Sequence, residues 1–309
     1  MKIVFMGTPD FSVGTLEKLI EAGHEVLAVI TQPDKPKGRG KAMQHTPVKE
    51  AALRHGIPVY QPVKVREPEF IEILKGLNPE VIVVVAFGQI LPKSILEMPK
   101  YGCVNVHASL LPKYRGAAPI NWSIIDGEEV TGVTTMKMDV GLDTGDMIMK
   151  TAVTIEKDET AGSLHDKLSM AGALLCVETL RKLEDGTAVF EKQDDSLSNY
   201  AKMLDKNLGK IDWRNDAAYI ERLIRGLNPW PSAYSSFEGK TLKIWAAEVI
   251  EDEADGKAGE IVAVTKNGIQ VKTGKGILEI RELQLEGKKR MEAGAFLRGY
   301  PVAIGTILG

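Results

Sequence analysis

Ile3-Val-Phe-Met6, Gly7-Thr-Pro-Asp-Phe11 and Val26-Leu-Ala-Val-Ile30 decide the fold class. The first is a short apolar run closed by glycine. A helical pattern follows through Leu16, Leu19 and Ile20 to Ala22-Gly23, and the third stretch is again apolar and of strand length. Strand, helix and strand within about thirty residues form a βαβ unit, which predicts a parallel pair with a right-handed crossover. Val81 to Ala86 is an unbroken, mostly β-branched run, the mark of a strand buried on both faces of a parallel sheet. The expected class is therefore α/β, with an open, mostly parallel sheet. The turn after the first strand is not G-x-G-x-x-G. Pro9 and Asp10 stand where the dinucleotide fingerprint needs bare backbone, which excludes a nicotinamide cofactor.

The remaining pattern gives helices over Pro47–His55, Glu69–Leu77, the residues after Pro119, and Thr160–Leu183. It gives strands over Ile57–Tyr60, Cys103–Val106, Val130–Met138 and Met147–Ile155. Residues 31–46 show no periodicity and read as a long loop, and residues 187–207 are polar and read as a linker. Beyond a helix over Ala217–Leu227, short strands are expected at Leu242–Ile250, Glu260–Val264, Ile269–Lys272, Ile277–Leu285 and Val302–Leu308. A short helix is expected from Met291 to Leu297. Such a set suggests a small OB-like β-barrel. The expected division is residues 1–186, a linker at 187–207, and residues 208–309.

Composition narrows the classes. With 44% hydrophobic and 26% charged residues the chain can bury a core, and a net charge of −3 gives no global attraction to nucleic acid or an anionic membrane. Cys103 and Cys176 each sit in an apolar segment and read as reduced core residues of a cytoplasmic protein. The longest apolar run, Val81 to Phe87, is too short to span a bilayer, so no membrane partner is expected. No obligate protein partner is evident. No His or Cys pair has zinc-ligand spacing and no calcium-loop register is present, so no metal is expected. No Gly-x-Ser-x-Gly elbow or P-loop occurs.

The chemistry concentrates in Cys103-Val-Asn-Val-His-Ala-Ser-Leu-Leu-Pro-Lys-Tyr-Arg-Gly116. Asn105 and His107 leave the same face of a strand, roughly 6–7 Å apart. An amide donor beside an imidazole suits acyl transfer, in which an oxyanion is stabilised and a proton moved. An isolated N-x-H is more often a core Asn and a core His at a strand end. The loop Asp139-Val-Gly-Leu-Asp-Thr-Gly-Asp146 supplies carboxylates that can pair with His107. Lys35, Lys37, Arg39 and Lys41 make residues 31–46 a candidate phosphate-backbone contact, with a solvated surface loop as the bland alternative.

Asn105-Val-His-Ala-Ser-Leu-Leu-Pro-Lys-Tyr-Arg-Gly-Ala-Ala-Pro-Ile120 followed by Leu142-Asp-Thr-Gly-Asp146 resembles the folate-dependent formyltransferases. Gly7-Thr-Pro-Asp-Phe11, Thr31-Gln-Pro-Asp34, Gly38-Arg-Gly-Lys41 and Asn228-Pro-Trp-Pro231 extend the likeness over essentially the whole chain. The resemblance implies a Rossmann-like sheet carrying a formyltransferase site, with a C-terminal OB-like domain that binds tRNA. It implies 10-formyltetrahydrofolate as donor and the α-amino group of methionyl initiator tRNA as acceptor. It further implies Asn105, His107 and Asp143 as the catalytic three. Gln89, Ile90, Leu91, Ser109, Leu110, Leu111, Pro112 and Asp139 would shape the folate site. Lys35, Lys37, Arg39 and Lys41 would meet tRNA, and Phe11 the methionyl side chain. A formyltransferase acting on a sugar-nucleotide amine, or a non-catalytic RNA-binding protein on the same fold, are the alternatives.

Overall fold

The computed structural model describes every residue except 38–41 and the side chains of Lys37 and Ala42. Its contacts divide the chain into two compact units. One comprises Met1–Gly116, Val130–Thr154 and His165–Ala201; the other comprises Ala117–Glu129, Ile155–Leu164 and Lys202–Gly309.

In chain order, β1 (Lys2–Gly7), α1 (Asp10–Glu21) and β2 (Glu25–Ile30) make the βαβ start, with β1 and β2 parallel. Next come β3 (Lys35–Lys37), β4 (Ala42–Gln44), α2 (Pro47–Arg54), β5 (Val59–Tyr60) and α3 (Pro68–Leu77). Both α2 and α3 open on proline, whose missing N–H is no loss in a first turn, and the Thr46 hydroxyl caps α2 by accepting from the Lys49 N–H at 3.1 Å. After β6 (Val81–Val85), α4 (Lys93–Leu96), β7 (Cys103–His107) and β8 (Arg115–Gly116), α5 (Pro119–Ile125) belongs to the second unit. Then follow β9 (Val130–Lys137), β10 (Met147–Thr154), α6 (Ala161–Glu184) and β11 (Tyr200–Ala201).

The 7-stranded sheet of the first unit has the order β10-β9-β7-β6-β1-β2-β5. Strands from β7 to β5 run parallel, whereas β9 lies antiparallel to β7 and β10 antiparallel to β9, so the sheet is mixed. Every residue of β6 and β7 is buried. Gly172 of α6 lets the helix approach β7 closely, since a Cβ there would lie 2.9 Å from Val106 Cγ1 and 3.4 Å from Val133 Cγ1.

The second unit contains α7 (Ala217–Gly226), β12 (Ala233–Phe237), β13 (Lys240–Ile250), β14 (Ile261–Val264), β15 (Ile269–Lys272), β16 (Ile277–Leu285), β17 (Met291–Glu292) and α8 (Ala293–Leu297). Its antiparallel sheet has the order β12-β13-β16-β15-β14, with β17 on β16. Ile220 and Ile224 of α7 and Phe296 of α8 complete a core with Ile244, Val271, Ile280 and Leu283.

Four features depart from the sequence reading. Residues 31–46 include a hairpin, with Lys35 opposite Gln44 and Pro36 opposite Met43; strands of three residues are too short to show a period. Strand β12 was not expected, because its inward Ser235 breaks the apolar alternation; that hydroxyl accepts from Trp213 Nε1 at 2.9 Å. Val302–Leu308 forms no ladder strand, only a bridge from Ile307 to Glu260. Finally, β12 and β14 are the ends of the sheet and do not pair among the described residues, so the expected barrel closure is not seen there.

Gly172→Leu is expected to overpack the contact with Val106 and lower stability by about 1–3 kcal/mol. Adding Val106→Ala should recover part of that loss in denaturant titrations, and a wild-type midpoint for the single variant would refute the close approach.

Candidate active site at the end of β7

Strand β7 is hydrogen-bonded along both edges, with Val84 opposite Asn105 on β6 and Thr134 opposite His107 on β9. Asn105 and His107 share the face opposite Val106, at 9% and 6% exposure. His107 Nε2 lies 2.9 Å from the Tyr114 carbonyl. A carbonyl only accepts, so Nε2 carries a proton. Nδ1 faces Asp143 Oδ1 at 3.8 Å, an ion-pair contact for a protonated ring but too long for a hydrogen bond. The other carboxylate oxygen of Asp143 accepts the Gly116 N–H at 2.8 Å. Among the described residues the Asn105 side-chain amide has no hydrogen-bond partner. The three residues expected from sequence therefore do converge.

Asp143 reaches His107 because β9 is antiparallel to β7. The carboxyl end of β9 lies beside Cys103, where Met138 N donates to the Cys103 carbonyl at 2.8 Å, and the following loop runs back toward His107. Gly145 closes that loop, since a Cβ would stand 1.9 Å from the Lys137 carbonyl oxygen. Asp139 Oδ1 accepts from Gly141 N at 3.0 Å and Thr144 Oγ1 at 2.7 Å. Asp143 at φ 53° and Tyr114 at φ 57° both occupy the left-handed region that side chains other than glycine disfavour.

The residues expected to shape a folate site fall into two groups. Ser109 is fully buried and donates to the Lys113 carbonyl at 2.6 Å. Leu111 packs on Met136 and Met147, and its N–H donates to Thr134 Oγ1 at 3.0 Å. Leu110 lies over Gly132, while Pro112 is half-buried. Gln89 accepts from Val65 N at 2.9 Å and donates to the Pro62 carbonyl, and Leu91 is in the core. These side chains shape loops. Ile90, by contrast, is 86% exposed, and the acidic loop presents Val140 and Leu142 at 74% and 56%. Val140 and Leu142 belong to the Asp139 loop and were not singled out from sequence, where apolar residues in a Gly/Asp loop were the available signal.

Phe11 is buried on α1, its ring edge-on to His165 with centroids 5.3 Å apart. Lys35 is exposed on β3, whereas Arg39, Lys41 and the Lys37 side chain lie outside the described residues. The hairpin is anchored at its base by Asp34, which accepts from Lys49 Nζ at 2.6 Å, Gln61 Nε2 at 2.7 Å and His45 Nδ1 at 2.9 Å. The Lys49 ammonium, with the Gln61 amide, holds the Asp34 carboxyl well below the usual carboxylate range. A cleft of about 550 Å³ beside it is lined by Thr8, Gln32, Lys35, Gln44, His45 and Glu50, among others. Burial pushes the Cys103 and Cys176 thiols up to about 12, so neither is a thiolate at neutral pH. No group of three His, Cys, Asp or Glu residues among the described residues could hold a metal ion, and no helix among them is long and apolar enough to cross a membrane.

A family model described as formyl transferase matches residues 1–180, and one described as formyl transferase, C-terminal domain, matches residues 203–301. A protein of Agathobacter rectalis named methionyl-tRNA formyltransferase is 62% identical over 306 residues, covering 99% of each chain. One of the same name from Lachnospira eligens is 57% identical, covering 100% of each. Among solved structures, WlaRD, a sugar 3N-formyl transferase crystallised with dTDP and 5-N-formyl-THF, aligns at TM-score 0.69 and 20% identity over 94% of this chain and 99% of its own. HypX from Aquifex aeolicus with tetrahydrofolic acid aligns at TM-score 0.64 and 19% identity over 99% of this chain and 50% of its own. At such identities these structures speak to fold alone.

Because folding lowers the Asp34 pKa, its contribution is complete above the unfolded value of about 4 and is lost only as pH falls through the lower folded value. Asp34→Asn is expected to speed amide exchange around Lys49 and Gln61 at pH 7 by about tenfold, whereas the wild type keeps that protection at pH 4. Equal exchange in both proteins at pH 7 would remove the anchor.

Proposed function

The chain belongs to the formyl transferase family, and from that membership we propose that it formylates the free α-amino group of methionyl initiator tRNA. The donor in this reading is 10-formyltetrahydrofolate, and the product is N-formylmethionyl-tRNA for translation initiation in the cytoplasm. The reading is supported by identity of 55–62% over nearly the full length of relatives named methionyl-tRNA formyltransferase. The observation that carries the chemistry is the pair Asn105 and His107 at one buried strand end, with Asp143 of the acidic loop facing His107.

When bound, the folate supplies an activated formyl carbon. Attack by the amine places negative charge on the formyl oxygen. Asn105 has an amide N–H₂ not committed to any other described group, and it is the donor for that charge. His107 has Nε2 tied to the Tyr114 carbonyl, which leaves Nδ1 as its working nitrogen. The Asp143 carboxylate, 3.8 Å away, stabilises an imidazolium that donates from Nδ1, and it takes the proton that the former amine sheds once the new C–N bond has formed. Breaking the bond between the formyl carbon and the donor nitrogen completes the transfer, and the proton held by Asp143 is the one that nitrogen takes as it leaves. Exposed Ile90, Val140 and Leu142 offer apolar surface suited to a planar heterocycle, and the backbone of Ser109 to Pro112 is held rigid by the contacts of Thr134. The basic positions Lys35, Lys37, Arg39 and Lys41 meet acceptor-stem phosphates, and Phe11 borders the methionyl side chain. The C-terminal unit, with an OB-like barrel as the finer reading of its sheet, adds further tRNA contacts.

The direct test is formyl transfer from 10-formyltetrahydrofolate to charged initiator tRNA beside elongator methionyl-tRNA. Transfer to the initiator is expected, and transfer to neither would overturn the reading. His107→Ala and Asn105→Ala should each slow single-turnover transfer by about 10²–10³-fold while folate affinity stays nearly constant. A parallel loss of folate affinity would make the residue structural instead. Arg39→Gln should weaken tRNA binding and reduce its logarithmic salt slope by about one; an unchanged slope would sink the phosphate contact.

A further inference from the structure

The segment that follows α6 is tied to the site by a dense set of polar contacts. Gln193 is 6% exposed. Its Nε2 donates to two carbonyls of the acidic loop, those of Asp143 and Gly145, both at 2.8 Å. Its Oε1 accepts from Arg115 Nε at 3.1 Å and Nη2 at 2.9 Å. Arg115 continues to Asp195 at 2.7 Å. Six residues after Gln193, Asn199 Oδ1 accepts the Tyr114 N–H, and its own carbonyl accepts the Arg115 N–H at 3.1 Å. Tyr200 and Ala201 then pair in parallel with Arg115 and Gly116. Gly116 at φ 111° is required there, because a Cβ would stand 2.6 Å from the Tyr200 ring and 2.7 Å from the Ala201 carbonyl.

Two strained turns meet this segment. Tyr114, at φ 57°, presents the carbonyl that orients His107. Asp143, at φ 53°, presents the carboxylate that faces His107 Nδ1. Neither turn belongs to the sheet ladder, so the geometry of both must be fixed by contacts outside it. Asn199 holds the first through side chain and backbone together; Gln193 holds the second through its backbone carbonyl.

We propose that Gln193 and Asn199 are positioning residues for formyl transfer, clamping the Asp143 loop and the Tyr114 turn so that carboxylate, imidazole and amide stay in register. This rests on the site assigned above to formyl transfer. Neither side chain touches substrate. Gln193 is suited to its place by carrying both a donor and an acceptor: two carbonyls face one end of its amide and a guanidinium the other. A glutamate there would serve Arg115 at least as well and could donate to neither carbonyl. Asn199 uses only its oxygen on Tyr114, so an aspartate can replace it.

The experiment compares Gln193→Leu, Gln193→Glu, Asn199→Leu, Asn199→Asp and, as an exposed control in the same segment, Ser196→Ala. Transfer rates at saturating donor and tRNA are read with KM for each. The ¹⁵N resonances of the His107 ring are recorded on the ligand-free protein. Gln193→Leu, Gln193→Glu and Asn199→Leu are expected to lower kcat by about 10²-fold, with KM within about threefold, and to shift the His107 resonances. Asn199→Asp and Ser196→Ala should keep both. Wild-type kcat in Gln193→Glu would mean that Gln193 serves only Arg115 and would overturn the clamp, as would unchanged kcat and resonances in Asn199→Leu. If the leucine variants fail to fold, Gln193→Glu against Asn199→Asp still decides. If the wild-type protein transfers no formyl group while the His107 resonances of the variants still shift as described, the functional reading would fall and the clamp would stand.

Discussion

Strand β7 has no freedom to move. Its backbone is hydrogen-bonded to β6 on one side and to β9 on the other, and Gly172 lets α6 press directly on Val106 beneath it. The polar face of that strand is consequently as fixed as the core. Asn105 and His107 are held by the sheet itself and depend on loop structure only for their partners. A buried amide and a buried imidazole cost free energy unless they are paired or used, and here the imidazole is paired while the amide faces the site.

The antiparallel turn of β9 does the rest. In a wholly parallel sheet the loop after the next strand would emerge on the same side as His107 only after a helical crossover. With β9 reversed, the chain leaves the sheet next to Cys103, and a short glycine-containing loop runs back along the same face to set Asp143 against His107. The close fit of that loop excludes any Cβ at Gly145 and puts Asp143 in the left-handed region. A strained residue persists only where its surroundings over-determine it, and Gln193 and Gly116 supply those surroundings.

The second unit is built differently, from an antiparallel sheet with α7 and α8 on one face. Its outer face is amphiphilic: the Arg290 guanidinium lies 4.7 Å from the Trp245 ring centroid and is itself paired with Glu282. Such pairing tempers the positive charge of the basic run Lys288-Lys-Arg290.

Much was legible in the chain because it rests on local pattern. The apolar runs Ile3–Met6, Val26–Ile30 and Val81–Ala86 declare buried parallel strands by period and composition, and the two-residue spacing of Asn105 and His107 places them on one face without any knowledge of the fold. Gly7-Thr-Pro-Asp-Phe11 rules out the dinucleotide fingerprint by itself. Other features depend on partners distant in sequence and leave no local trace. The reversal of β9, the pairing of β3 with β4 and the serine-bearing strand β12 are all decided by pairing. So is the role of Gln193 and Asn199, whose segment looks like a polar linker. A polar residue reads as solvated from sequence whether its hydrogen bonds go to water or to a carbonyl fifty residues away, and only the folded chain distinguishes the two.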